Sequence, residues 1–228
     1  MRLSMKVISM LMCPHSWQLA KCLMPPVLYV GSIRAQNKHN YTLYMNKLII
    51  GIVGEMAAGK STVTDYIIKK HDAVSFRFSD MLRDILSRLH LDLVRPNMQQ
   101  LSTLLRQNFS EDIMAQVLTK DVEAANHPLI VTEGIRRPAD IVYLSKLPGF
   151  VLLSIEADER LRYERLSARR ENMDDSTMTW EQFQEAGTQE SEQKIKKVAK
   201  SAQHRIDNNG SENDLLSQVD HILSQYLS

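Results

Sequence analysis

At 228 residues, 43% apolar and 24% charged, the chain has the composition of a soluble globular protein with room for one α/β domain. A formal net charge of +1 gives no general case for nucleic-acid binding, and no apolar run reaches the ~18 residues of a membrane span. Both cysteines, Cys13 and Cys22, lie early in the chain, so neither a disulfide framework nor thiol chemistry is expected beyond them.

The charge is unevenly spread. No acidic residue precedes Glu55, whereas Arg2, Lys6, Lys21, Arg34, Lys38 and Lys47 do, and the chain from Glu55 onward nets −5. Residues 1–45 read as a basic leader outside the fold. Residues 7–13 faintly resemble a signal-peptide core, cut short by Pro14-His15, and the acid-free composition also fits a transit peptide. The favoured expectation is that Met45, just ahead of the first strand, is the true start, with residues 1–44 having no structural role. The functional domain is then 46–228, expected in the cytoplasm.

The stretch Gly54-Glu55-Met56-Ala57-Ala58-Gly59-Lys60-Ser61 matches G-x-x-x-x-G-K-[ST]. It follows the apolar run 48–53 and leads into a helix-like segment over 61–70, the context a P-loop requires. Gly54 and Gly59 let the backbone wrap a phosphate chain with its N–H groups inward, and the helix N-terminus adds partial positive charge. Lys60 can reach the β- and γ-phosphates, and Ser61 can place a hydroxyl on Mg²⁺. Thr62 completes the expected ATP cradle.

Strands and helices alternate downstream. Residues 73–78 alternate apolar and polar side chains and read as a short strand. Ser79 is the expected N-cap of a helix with Met81, Leu82, Ile85, Leu86 and Leu89 on its apolar face. Residues 97–124 read as two helices, the second capped by Ser110. The runs 128–132 and 150–155 suit burial in a parallel sheet. Pro138 opens a helix between them, expected to run through Leu144. A charged helix covers 158–170. Thr179 caps another, expected to continue to Lys200. Residues 204–207 are the last strand, Asn208-Asn209-Gly210 is a turn, and Ser211-x-x-Asp214 opens a final amphipathic helix. The pattern predicts a three-layer α/β/α P-loop NTPase fold, with a five-stranded parallel sheet and helical acceptor and lid insertions at 80–125 and 171–200.

Ligands of open α/β sheets sit outside the carboxyl ends of the strands, which makes the residues there candidates. Asp80 could orient or deprotonate an acceptor hydroxyl, and Arg83 could hold its phosphate. Glu133 could hold Mg²⁺ through water, while Arg136 and Arg137 could bind phosphate in bidentate fashion. Arg165 and Arg169 share a helix face at i,i+4 and could neutralise the transferring group from a lid. The competing structural readings are a solvated Asp and Arg, a helix-capping Glu and a salt-bridged arginine face. Trp180 and Phe183 read as packing.

In order, the P-loop, Asp80-Met81-Leu82-Arg83, Glu133-Gly134-Ile135-Arg136-Arg137, the arginine-rich lid and Ile206-Asp207-Asn208-Asn209-Gly210 resemble nucleoside-monophosphate-kinase-like P-loop proteins. Residues 80–83 look like the acceptor-binding Asp-Met-Leu-Arg of adenylate kinases. Residues 206–210 look like the adenine-side turn of dephospho-CoA kinases, which implies that Asn208 and Asn209 bind the nucleotide. The whole looks most like dephospho-CoA-kinase-like proteins of unassigned substrate. It departs from adenylate kinases, which have Asp-Gly-Phe-Pro-Arg at 133–137, and from dephospho-CoA kinases, whose Asp-x-Asp is replaced by Phe78-Ser79-Asp80. The resemblance implies ATP- and Mg²⁺-dependent phosphoryl transfer to a small phosphorylated acceptor: a nucleoside or deoxynucleoside monophosphate, or dephospho-CoA. Lys60, Asp80, Arg137, Arg165 and Arg169 would then be catalytic. Asp80, Arg83, Arg136 and Arg137 would bind the acceptor, and Ser61 and Glu133 the metal. No nucleic acid or membrane partner is expected, and monomer and homodimer are both open. The alternative is a nucleotide-dependent regulatory ATPase or switch, acting on a macromolecule through the charged segment 181–200.

Overall fold

The apolar run ahead of the P-loop forms β1 (Leu48–Val53), all six residues of which are buried. A strand buried on both faces belongs inside a sheet. In the computed structural model, which describes residues 47–168 and 178–227, β1 is the central strand of five. The order is β2 (Val74–Arg77), β3 (Leu129–Glu133), β1, β4 (Phe150–Glu156) and β5 (His204–Asp207), and every pairing is parallel. The leader, Arg169, Arg170 and the polar loop after them lie outside the described residues.

Side-chain alternation along β1 builds two cores. Leu48, Ile50 and Ile52 pack against Val63 and Ile67 of α1 (Lys60–His71) and Leu215, Val219 and Leu223 of α9 (Glu212–Ser224). Ile49 and Val53 face the other way. They meet Leu82 of α2 (Asp80–Arg88), Met114 and Leu118 of α4 (Ile113–Ala124), and Ile195 and Val198 of α8 (Glu190–Ala199). Leu101 and Leu105 of α3 (Arg95–Asn108) pack on this second core from outside. Each fully buried aliphatic side chain contributes about 1.5–3 kcal/mol, so the sheet is held from both faces. The result is the three-layer α/β/α arrangement with a five-stranded parallel sheet that the alternation predicts.

The chain leaves β1 for the β2 edge, returns to β3 beside β1, then crosses to β4 and β5. That reversal of direction places the loop after β1 at the topological switch point, the usual crevice of such sheets.

The local expectations divide. Thr179 and Ser211 form capping boxes with Gln182 and Asp214, as their spacing predicts. Ser79 and Ser110 do not cap. Ser79 has helical dihedrals, so its side chain cannot reach forward to the first-turn amides, and Asp112 stands at the N-cap position of α4. The helix opened by Pro138 is a single turn, α5 (Pro138–Ile141), followed by a 3₁₀ turn at Leu144–Lys146. Buried Asp140 accepts from the amides of Arg136 and Arg137 at 2.9 Å each, which folds the turn back on itself. The segment 180–199 is two helices, α7 (Trp180–Thr188) and α8, broken at Gln189, whose ψ of 151° is extended. The break lets Phe183 pack on Tyr163 of α6 (Glu159–Ala168) while Ile195 and Val198 enter the sheet core.

α1 and α9 are joined by Asp220, which accepts from the Tyr66 hydroxyl and Lys70 Nζ at 2.7 Å each, with His71 Nε2 at 3.4 Å. Partial burial opposes ionisation of Asp220, but bonds from Lys70, Tyr66 and His71 outweigh it and hold the carboxyl below its usual range. Lys70 is held above its usual range, first by Asp220. The stability from Asp220 is present above the ordinary carboxylate pKa of about 4 and lost as pH falls through its depressed value. Asp220→Asn therefore lowers the melting temperature at neutral pH, and its gap to wild type closes below about pH 4. Calorimetry across pH checks this; a gap that persists unchanged at pH 2 contradicts it.

Candidate active site

Glycine is required at both ends of the P-loop for reasons of space and dihedral. A Cβ at Gly54 would stand 2.6 Å from the Ile155 carbonyl oxygen of β4. Gly59 has φ 104°, in the left-handed region, and a Cβ there would stand 2.2 Å from Asn208 Nδ2. Between them the carbonyls are tied down. Lys60 Nζ donates to Gly54 O at 2.8 Å and Glu55 O at 2.7 Å. Arg162 Nη1 donates to Met56 O at 3.3 Å, and Asn208 Nδ2 to Ala58 O at 2.8 Å. In a planar trans peptide the N–H lies opposite the C=O, so holding these carbonyls also fixes the direction of the amides that follow them. Ser61 and Thr62 are exposed at the start of α1, where the helix terminus favours an anion.

A cleft of about 690 Å³ opens beside this loop. Residues 57–62 form one wall, with Asp65 and Lys69 of α1, Arg165 of α6, and Glu212 and Leu216 of α9. Arg165 Nη2 donates to Asn208 O at 2.9 Å, while its Nη1 is buried with no hydrogen-bond partner among the described residues. A buried donor left unpaired at the rim of a cleft suits an anionic ligand.

The other sequence-predicted residues separate into three groups. At the β2–β3 end, Glu133 pairs with Arg77, its Oε2 3.2 Å from Nε, and Asp80 Oδ2 accepts from the Arg77 amide at 2.8 Å; Arg83 is exposed on α2. Arg136 is exposed, and Arg137 pairs with Glu111 from the loop between α3 and α4. On the β5 side, Asn208 is buried beneath the P-loop, and Asn209 Oδ1 accepts from the Asp158 amide at 2.7 Å. Arg169 lies outside the described residues.

Two residues of this site carry roles that sequence reasoning did not assign. Arg162 is 6% exposed, reaches the P-loop at Met56 O and Glu55 Oε1, and stacks over Phe183 at 5.5 Å. Its available signal was position: Arg162 and Leu166, four apart, share the buried face of α6. Lys196 of α8 lies 3.4 Å from the same Glu55 oxygen.

A P-loop at the switch point of a five-stranded parallel sheet, with helices on both faces, defines a P-loop protein of kinase-like α/β fold. A family model described as an AAA domain matches residues 53–184. The chain belongs to that family and to the UPF0200 proteins, being 30% identical over 183 residues to the UPF0200 protein MJ1399 of Methanocaldococcus jannaschii, 79% of this chain and 91% of that one. It is 27% identical over 177 residues to a UPF0200 protein of Thermococcus gammatolerans, covering 75% and 92%. Among solved structures it is similar to shikimate kinase from Bacteroides thetaiotaomicron, with TM-score 0.52 and 12% identity over 78% of this chain and 97% of that one. TT1252 from Thermus thermophilus gives TM-score 0.50 and 18% identity over 79% and 98%. These likenesses are of fold.

Gly59→Ala tests the loop geometry. The left-handed φ and the Asn208 contact together should destabilise the chain by about 1–3 kcal/mol, lowering the melting temperature by roughly 2–4 °C per kcal/mol. An unchanged melting temperature contradicts the geometry.

Proposed function

We propose that this chain transfers the γ-phosphoryl group of ATP to a small phosphorylated acceptor, with nucleoside or deoxynucleoside monophosphates first and dephospho-CoA second. The observation that carries the reading is the P-loop with its held carbonyls, opening on a cleft rimmed by Arg165 Nη1, which has no hydrogen-bond partner among the described residues. The loop amides and the α1 terminus cradle the phosphates, and Lys60 meets the charge that develops on the transferring group. Arg165 and Arg169 help neutralise that charge from the lid. Asn208 acts from beneath the loop and Asn209 from the adenine-side turn.

Acceptor contacts come from the other side of β1. Arg83, Arg136 and Arg137 hold the acceptor's anionic group, and Asp80 orients the attacking oxygen, taking its proton where it is a hydroxyl. Ser61 Oγ and the Glu133 carboxylate are hard oxygen donors of the kind Mg²⁺ prefers, so they fit that ion. Bound there, Mg²⁺ would neutralise charge on the β- and γ-phosphate oxygens. Burial of Ile195 and Val198 and the Lys196–Glu55 contact make α8 part of the core, which weighs against a free partner surface at 181–200. The reading includes action in the cytoplasm by residues 46–228. No helix of the described residues is long and apolar enough to cross a membrane.

The test is a substrate panel with the purified full chain, ATP and Mg²⁺. ADP formation should rise on adding at least one nucleoside monophosphate or dephospho-CoA. Lys60→Ala should lower turnover by about 100-fold or more while leaving the unfolding transition in place. ADP formation that no acceptor stimulates, or an active Lys60→Ala, contradicts the reading.

A further inference from the structure

A second cationic site is built at the same edge of the sheet, apart from the P-loop. α4 runs back to the start of β3, so the loop before it, residues 109–112, stands at the carboxyl end of β3, beside Arg137. Arg106, in the last turn of α3, reaches this loop with a side chain only 11% exposed. Its Nη1 donates to the Glu111 carbonyl and lies 3.6 Å from Glu111 Oε1, and Arg137 Nη1 pairs with that same oxygen. Two guanidinium groups from different elements therefore converge on one carboxylate, whose side chain is 62% exposed.

The surroundings are incomplete in a specific way. Arg106 Nη2 stands 3.7 Å from Asp140 Oδ1, too far for a hydrogen bond. Asp140 Oδ1 and Arg106 Nε are both buried with no hydrogen-bond partner among the described residues, Oδ1 having only this longer ion-pair contact. Folded chains keep such atoms where something else completes them. The rest of the corner is firm. Asp140 Oδ2 holds the Arg136 and Arg137 amides, and Asp112 is held by the Tyr143 hydroxyl at 2.7 Å and Gln116 Nε2 at 3.1 Å. The Glu111 carboxylate stands on an exposed side chain, able to leave without unfolding anything; the exposed Glu190, which pairs with Lys194, also acts on Arg137 electrostatically.

We propose that Arg106 and Arg137 form a two-arginine clamp for the acceptor's phosphate, and that the Glu111 carboxylate is a stand-in anion which the phosphate displaces. This rests on the reading of the chain as a kinase of a phosphorylated acceptor, and it adds Arg106 and Glu111 to that acceptor site. A phosphate monoester offers three oxygens to two guanidinium forks and carries up to twice the charge of the carboxylate it replaces. The buried stem of Arg106 is already fixed by folding, so little side-chain freedom is lost when the phosphate binds.

The experiment is calorimetric titration of the full chain with inorganic phosphate, after saturation with a non-hydrolysable ATP analogue and Mg²⁺ to fill the P-loop. Acetate is the comparison titrant. Glu111→Gln removes the competing charge and should bind phosphate roughly fivefold or more tighter than wild type, and tighter than acetate. Adding Arg106→Met to Glu111→Gln should weaken phosphate binding by about tenfold or more. Adding Arg106→Lys instead, which keeps the charge and stem but loses the fork, should also weaken it and serves if the Met variant fails to fold. Phosphate affinity unmoved by Glu111→Gln, undiminished by the folded Arg106 variants, or below that for acetate overturns the clamp. Failure of the ATP analogue to bind wild type refutes the kinase reading instead, and is seen before any phosphate is added.

Discussion

The carbonyl oxygens of Gly54, Glu55, Met56 and Ala58 are each held by a protein donor, and much of the molecule is arranged to supply those donors. Lys60 reaches back across the loop from the first turn of α1. Arg162 comes from α6, which follows β4. Asn208 comes from the end of β5, at the far edge of the sheet. Since a planar peptide points its N–H opposite its C=O, anchoring the oxygens aims the nitrogens. Under the proposed function, such a loop would receive a phosphate without reorganisation.

Glu55 extends this constraint to α6 and α8. Its Oε1 lies 3.3 Å from Arg162 Nη2 and 3.4 Å from Lys196 Nζ. Arg162 is almost fully buried, and a buried guanidinium requires compensation. It finds this in Glu55, in the Met56 and Ala157 carbonyls and in the face of Phe183. Tyr163, Trp180 and Phe183 pack as an aromatic cluster where α6 and α7 meet. The P-loop, α6, α7 and α8 are thus joined through one carboxylate and one guanidinium.

The P-loop and the sheet were legible in the sequence because their signals are local. The glycines, Lys60 and Ser61 sit within one octet, and continuous apolar runs mark buried parallel strands whatever surrounds them. Less was legible where a residue's state depends on its neighbours in space. Ser79 has capping chemistry and position but helical dihedrals that keep its side chain from the first-turn amides, and Ser110 has the chemistry without the position. The charged residues of 184–194 have high helix propensity, which hides the break at Gln189 that packing imposes. Arg162 looks like any surface arginine in a charged helix and Arg106 like one at a helix end; only tertiary structure brings one against the P-loop and the other against Glu111. Asn208 is named by its turn motif, but that its amide lies under Ala58 and Gly59 follows only from where β5 ends.

The proposed donor site is tested most directly by titrating the purified full chain with a non-hydrolysable ATP analogue, with Mg²⁺ and then with the metal chelated. Saturable binding at one site, weakened several-fold without Mg²⁺, is the result predicted by a loop whose amides, Lys60 and Ser61 act together. Absence of saturable binding, or binding that survives intact in Lys60→Ala, would contradict it.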